Sequence, residues 1–424
     1  MKLLGYLKDF AEKHKTIVEN FSYLSVLQIV LMLAPLITYP YLVGVLGMKL
    51  YGIIVSAQML MGYAGILIDF GTNSVCAKHV SINRDNPMML SEIVSSVIII
   101  RTVMALLCFG VYVLIAYLIP AYRDYLLLFV ITYGMVMQEV LFPQYFFQGI
   151  EKLKYATILS ILFKAIFIIA IFLVIKSPED YIFVPVLYML GYTVSSGSAL
   201  YLVFGRMKVR FYIPKWERIK LYAMDSSPLL ATDVVCTIKD KFNYFFIGLS
   251  VGMAEVTIYD LGIKLNGLVG KPLSILQTVM FPRLAKSRSF ANVKKLLMVA
   301  FVSSLIVYIV FNACLPWIVE FFLHKQIDLM PIRLLALAPI ILSVSGVLGV
   351  NFMVAFGYNK YMFYSILVTT AVYLCSILYV YVTRCQLGLY TFVFIALISY
   401  ITEMIYRLFA TKKILTRQNN EKNI

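Results

Sequence analysis

The chain has 424 residues, 62% of them hydrophobic and 14% charged, with a formal net charge of +16 and a mean hydropathy of +0.88. So little polar surface cannot coat a water-soluble globule, which excludes a soluble enzyme and makes lipid the solvent.

In chain order, residues 1–20 alternate Leu3, Leu4, Leu7 and Phe10 with charged side chains and lack a long apolar core with a cleavage site. They are expected to form a cytoplasmic interfacial segment, not a cleavable signal. A helix needs about 20 apolar residues to cross a bilayer and satisfy its own backbone there. Twelve such runs are expected, at 21–46, 51–80, 91–119, 124–149, 155–175 and 181–204, then at 221–250, 256–282, 293–322, 331–357, 361–383 and 388–410. The expected class is therefore an all-α integral membrane protein. Its parts are an N-lobe over 21–204, a basic cytoplasmic linker over 205–220, a C-lobe over 221–410 and a cytoplasmic tail over 411–424. The seventh run is interrupted by Asp225, Asp233, Lys239, Asp240 and Lys241.

A faint copy of the first half returns in the second at a shift of 208. Tyr51 matches Tyr259, Ala77-Lys78 matches Ala285-Lys286, Ser95-Ser96 matches Ser303-Ser304, Gly149 and Lys152 match Gly357 and Lys360, and Ile158-Leu159 matches Ile366-Leu367. Two copies of six crossings keep the same orientation, so the lobes are expected to be related by a pseudo-twofold along the membrane normal.

Cations fix the sidedness. The termini and even-numbered connections collect 25 Lys and Arg residues, among them Lys78, Arg84, Lys152, Lys154, Arg206, Lys208, Arg210, Lys286 and Arg407, whereas the opposite loops hold only Lys49, Arg123, Lys176, Lys325, Arg333 and Arg384. Both termini are expected to be cytoplasmic. The basic balance reflects topology and attraction to anionic membrane lipids, not nucleic acid.

Soluble-enzyme chemistry has no footing. Six cysteines (Cys76, Cys108, Cys236, Cys314, Cys375, Cys385) have no metal-ligand spacing, three histidines (His14, His79, His324) fall in separate loops, and neither a phosphate-binding glycine loop nor HExxH occurs. No cofactor or metal is expected.

The informative residues are the ionisable ones inside the runs, because each costs a few kcal/mol in lipid unless it faces a cavity or a partner. They are Asp69, Arg101, Glu139, Lys164, Asp233, Lys239, Asp240, Lys241, Asp260, Lys264, Lys271 and Glu403. Asp260, Lys264 and Lys271 fall on one helical face with Gly267 between the lysines, and Asp233, Thr237 and Lys241 make a second polar stripe. The competing reading is that Asp260-Lys264 and Asp240-Lys241 pair locally or snorkel to the interface, and it extends to Lys239. Arg101 and Lys164 are open to two readings, a salt bridge with Glu139 or Asp69 and contact with substrate. Pro35, Pro40, Pro143, Pro185, Pro228 and Pro272 should kink their helices and free carbonyls.

The opening N-F-S-Y-L-S-V-L-Q … P-L-I-T-Y-P-Y-L-V-G-V-L-G … Y-G over residues 20–52 resembles the polysaccharide transporter family, the O-antigen and repeat-unit flippases of the multidrug/oligosaccharidyl-lipid/polysaccharide exporter superfamily. Asp69-Phe70-Gly71, Phe146-Phe147-Gln148-Gly149, Lys239-Asp240-Lys241 and Val251-Gly252 extend the resemblance over nearly the whole chain. It implies two six-helix lobes that move an undecaprenyl-pyrophosphate-linked oligosaccharide from the cytoplasmic to the outer leaflet of a bacterial inner membrane by alternating access. It also brings in a glycan polymerase complex as a partner class.

A pyrophosphate suits cations, so Lys264, Lys271, Lys239, Lys241, Arg101 and Lys164 are the candidate substrate-binding residues. Asp233, Asp69 and Asp260 are the candidates for coupling to H+ or Na+. Six buried cations face six buried acids, which leaves a cation-coupled multidrug exporter of the same superfamily as an alternative. A membrane-embedded lipid-modifying enzyme is a second.

Overall fold

A computed structural model describes the backbone of residues 15–383 and 387–422. Most of the expected interfacial segment, together with Arg384 and Cys385, lies outside the described residues, as do the side chains of Lys239 and Asp240.

Every regular element among the described residues is helical, as a chain without water for its backbone requires. The first and second expected crossings form one element, α1 (Lys15–Asp69), broken at Gly47, where φ is 76°. Then come α2 (Thr72–Ile82), α3 (Pro87–Leu118) and the single turn α4 (Pro120–Arg123). The start of α3 is set locally, since the Asn86 side chain accepts from the Met88 and Met89 amides and Pro87 needs no amide partner there.

The fourth expected crossing is not a continuous rod. It consists of α5 (Leu126–Tyr133), a 3-10 turn at Gly134–Val136, α6 (Met137–Leu141) and α7 (Gln144–Gly149), with Phe142 and Pro143 outside any helix. After α8 (Leu153–Val174) and α9 (Phe183–Tyr201) follow two long helices, α10 (Trp216–Ser250) and α11 (Met253–Ser287), and then α12 (Phe290–Leu323). The tenth crossing is also segmented, into α13 (Met330–Leu335), α14 (Ala338–Gly346) and a π-helical stretch at Val347–Val354. The chain closes with α15 (Asn359–Val382) and α16 (Leu389–Lys422).

Nine stretches among the described residues are long and apolar enough to cross a bilayer, the first being Met32–Ile82 within and beyond α1. Helices α10 and α11 match the seventh and eighth expected crossings in position but are too polar to be counted with them.

The chain divides into two compact units, Met1–Val234 and Val235–Ile424, with the division inside α10. In the first, Cys76, Val80, Ile93, Val97, Phe146, Phe147, Ala199 and Tyr222 form a buried core that ties α2, α3, α7 and α9 to the start of α10. In the second, Leu284, Val293, Val347, Phe352, Ala410 and Ile414 join α11, α12, the π-helical stretch and α16. The outward surface is the reverse of a soluble protein's: Leu106 is 71% exposed and Ile309 60%. Such surfaces are stable only against hydrocarbon. The protein is a multi-pass, all-helical membrane protein.

Two glycines of the sequence motifs have steric reasons. Gly71 takes φ 71° directly after α1, and a Cβ there would meet the Ser226 carbonyl at 2.7 Å. At Gly149 a Cβ would meet Val80 Cγ1 at 2.5 Å and the Ala77 carbonyl at 2.7 Å, so only glycine lets α7 approach α2 this closely.

Candidate functional site

In the first unit the polar centre is Arg101 on α3, which is 1% exposed. Its Nη2 pairs with Asp69 Oδ1, its Nε donates to Thr72 Oγ1 at 2.8 Å, and its Nη1 donates to the Glu139 carbonyl at 2.8 Å. The guanidinium also lies 5.3 Å from the Tyr145 ring centroid, a cation–π geometry.

These partners sit where two helices end or break. Glu139 would offer its carbonyl to the amide of residue 143, but that residue is proline and has none. Asp69 ends α1, and its carbonyl is taken by Thr72 Oγ1 at 2.6 Å. Arg101 thus neutralises one acid and supplies the donor missing at one helix break, the Glu139 carbonyl, while Thr72 closes the end of α1.

The same rule recurs at other prolines. Pro339 removes the helical donor of the Leu335 carbonyl, and Asn266 Nδ2 donates there at 2.8 Å. Pro228 does so for Met224, whose carbonyl accepts from Ser227 Oγ at 3.0 Å.

Beside the Arg101 centre, Lys164 on α8 sits over the Tyr192 ring of α9, with 5.3 Å from Nζ to the centroid. Both line a cleft of about 430 Å³, counting the open space at its mouth, together with Pro35, Phe167, Tyr188 and Gly191.

In the second unit two polar networks are buried. Asp260 on α11 is fully buried, ion-paired with Lys264 one turn on, and accepts from Tyr244 Oη at 3.3 Å. Next to it Asn243 donates to Tyr259 Oη at 3.0 Å and to the Phe392 carbonyl at 3.1 Å, and accepts from Tyr373 Oη at 2.9 Å.

The other network centres on Arg407 of α16, which pairs with Glu403 at 2.9 Å. Arg407 donates to the Ser345 carbonyl at 2.9 Å, to Ser345 Oγ at 3.0 Å and to Ser365 Oγ at 3.1 Å. Ser345 Oγ in turn donates to Glu403 at 3.1 Å. A Cβ at Gly349 would meet Arg407 Nη1 at 2.6 Å, so the small residue admits the guanidinium.

Residues 17–288 match the sequence pattern of polysaccharide biosynthesis proteins. The chain belongs to that family. A Shigella dysenteriae protein described as a candidate O-antigen transporter is 21% identical over 341 residues, which cover 77% of this polysaccharide biosynthesis protein and 84% of that one. Among solved structures, a multidrug resistance MATE family transporter of the MOP superfamily in its inward-facing conformation superimposes with a TM-score of 0.66, at 16% identity, over 92% of this chain and 99% of that one. An outward-facing conformation of a transporter described in the same terms gives a TM-score of 0.59, at 15% identity, over 94% of each chain. At these identities the structures establish a MATE-like fold and nothing finer.

For this polysaccharide biosynthesis protein, the residues singled out from sequence divide into three groups. Arg101, Asp69 and Glu139 are brought together, with Asp69 as the carboxylate partner and Glu139 contributing its carbonyl. Asp260 and Lys264 are brought together as a local pair. Asp233 is solvent-exposed on α10, within electrostatic reach of Asp69. Lys241 and Lys271 are half-buried, and a Cβ built at Gly267 or Gly270, on the α11 stretch between Lys264 and Lys271, meets nothing within 4 Å. That stretch has open space beside it.

One assignment needs correcting. Arg407 was counted with the interfacial cations, yet it is 4% exposed and holds Glu403. The signal was present in the sequence: an acid and an arginine at i, i+4 inside an apolar run read as a buried pair. The serines that complete the network carried no such signal.

Proposed function

We propose that this polysaccharide biosynthesis protein moves an undecaprenyl-pyrophosphate-linked oligosaccharide repeat unit from the cytoplasmic to the outer leaflet of a bacterial inner membrane. It does so by alternating access, through twelve crossings in two halves of six, 21–204 and 221–410, joined by the basic linker 205–220, with both termini cytoplasmic. The observation that carries this reading is the similarity to an O-antigen transporter candidate along 77% of the chain. The likeness of the fold to both inward-facing and outward-facing transporters supports a cycle between two open states.

The pyrophosphate is assigned to Lys264 and Lys271, which flank the open stretch of α11 around Gly267 and Gly270, with Lys241 as a further contact. Asp260 holds Lys264 in place by pairing with it. Asp233 and Asp69 are the coupling acids if an ion gradient drives the cycle, two carboxylates within electrostatic reach of one another. A multidrug exporter is the second reading, favoured by the MATE-like fold.

The test is export of lipid-linked glycan in cells whose only copy is a variant. Lys264→Ala and Lys271→Ala are expected to reduce export at normal expression, and the arginine replacements to keep more of it, since charge matters more than shape at a wet wall. Full export by both alanine variants would remove the phosphate assignment. Drug resistance conferred by the wild-type chain, without glycan export, would replace the flippase by the exporter.

A further inference from the structure

The cleft beside Lys164 belongs to the first unit and is not needed for the pyrophosphate contacts on α11. Its walls come from α1 at Ala34 and Pro35, from α8 at Lys164 and Phe167, and from α9 at Tyr188 and Tyr192. It exists because Gly191 lets the Phe167 ring pack where a Cβ would meet it at 2.7 Å, which draws α8 and α9 together below the opening.

Three kinds of group converge there. Tyr188 and Tyr192 stand one helical turn apart with centroids 6.3 Å apart and their planes at 33°, which gives a continuous aromatic strip. Lys164 rests on the face of Tyr192, its charge held by the ring quadrupole. Glu139 lies within electrostatic reach of both Lys164 and Tyr192, and each tyrosine carries a hydroxyl that can both donate and accept. Aromatic faces fit the C–H face of a pyranose, acceptors fit its hydroxyls, and a cation fits one negative substituent. A polyprenyl chain would leave the lysine unanswered, and a bare phosphate would leave the rings unused.

We infer that this cleft is a sugar-reading subsite that takes one anionic hexose ring, a carboxylated sugar, of the transported oligosaccharide. The ring stacks on Tyr188 and Tyr192 and its carboxylate draws Lys164 off the Tyr192 face. Glu139 opposes the ligand's charge, so it limits affinity and lets the sugar leave again. The inference rests on the flippase reading for its source of sugar, but binding can be measured without transport.

The experiment uses the purified full-length chain in detergent and saturation-transfer NMR with methyl glucuronide, methyl glucoside and inorganic phosphate as probes. Methyl glucuronide should give ring-proton signals several-fold stronger than the glucoside and should not be displaced by equimolar phosphate. Lys164→Ala and Tyr192→Leu should abolish the preference, Lys164→Arg should keep it, and Glu139→Gln should raise affinity several-fold. Because Glu139→Gln and Lys164→Arg keep size and polarity, their responses separate recognition from misfolding.

Equal signals from the acidic and the neutral sugar, or a glucuronide signal that survives in Lys164→Ala, would overturn the subsite. Displacement by phosphate would reassign the cleft to a phosphoryl group and also overturn it. In the cellular assay, Lys164→Ala should lose export of a carboxylated repeat unit and keep that of a neutral one. If the wild type exports neither while the glucuronide preference stands, the transport reading fails and the binding site does not.

Discussion

Among the described residues two arginines are buried, and they are held differently. Arg407 pairs with an acid on its own helix, four residues away, and adds two serines from elsewhere. Arg101 has no partner on its own helix among the contacts described above. It reaches Thr72, Asp69 and Glu139, which are 29, 32 and 38 residues away, and one of these partner groups, the Glu139 carbonyl, is one that a broken helix leaves open. The contrast teaches that a buried charge in a membrane protein can be a local pair or a fastener of irregular backbone. The fastener is harder to replace, because removing it exposes several groups to lipid at once.

The largest expected effect comes from breaking either pair on one side. Arg101→Ala and Arg407→Ala should each cost about 3–5 kcal/mol by leaving an uncompensated carboxylate, read as a fall in the unfolding midpoint in detergent. An unchanged midpoint for Arg101→Ala would contradict its role as fastener.

Replacing both partners with apolar residues sharpens the comparison. Glu403→Leu with Arg407→Met should recover most of its loss, since a buried ion pair is often no more stable than a hydrophobic pair. Asp69→Leu with Arg101→Met should recover less, by about 1–3 kcal/mol, because the Glu139 carbonyl stays unsatisfied. Adding Pro143→Ala to that second variant restores an amide at the position that serves Glu139 and should narrow the gap. Equal recovery in the two units would show that the helix break does not depend on Arg101.

A smaller effect is expected at the turn that brings Asp69 to Arg101. Gly71→Ala forces a side chain into a left-handed conformation against the Ser226 carbonyl and should cost about 1–3 kcal/mol. Substitution at Gly47, whose Cβ would meet nothing within 4 Å, carries the conformational cost alone and should be milder.

The smallest effect lies outside both networks. Asp328, in the connection before α13, accepts from Tyr390 Oη and from the Met330 amide, which hold its carboxyl below the usual carboxylate range, with Arg333 adding to the shift. A depressed folded pKa stabilises the fold above the unfolded value and is lost as pH falls through the folded one. The contribution should therefore be complete above about pH 4 and fade below it. Because the site is exposed, Tyr390→Phe should remove only a small part of the acid sensitivity of unfolding.

Much of the architecture was legible because hydrocarbon leaves few options. Runs of about 20 apolar residues had to be helices, and the described helices fall where those runs are. The list of intramembrane charges was legible too, since each is costly enough to need a reason. The segmentation of the fourth and tenth crossings was less so. Pro143 announced a freed carbonyl, but a kinked rod and a broken one share that signal. Arg407 lies near the end of a run, where a cation reads as interfacial, and only its i, i+4 spacing from Glu403 marks it as part of a buried pair.

The sequence by itself determined the solvent, the helices, the repeat at a shift of 208, the family and the set of charges that had to be answered. Tertiary structure alone decided who answers them. Arg101 had Asp69 and Glu139 as equal candidates until folding gave it the carboxylate of one and the carbonyl of the other. Asn266 met Leu335, and Ser345 met Arg407, in the same way. The reason is range: apolar transfer acts residue by residue and is written along the chain, whereas a hydrogen bond needs its partner within about 3 Å, a distance that only packing can set.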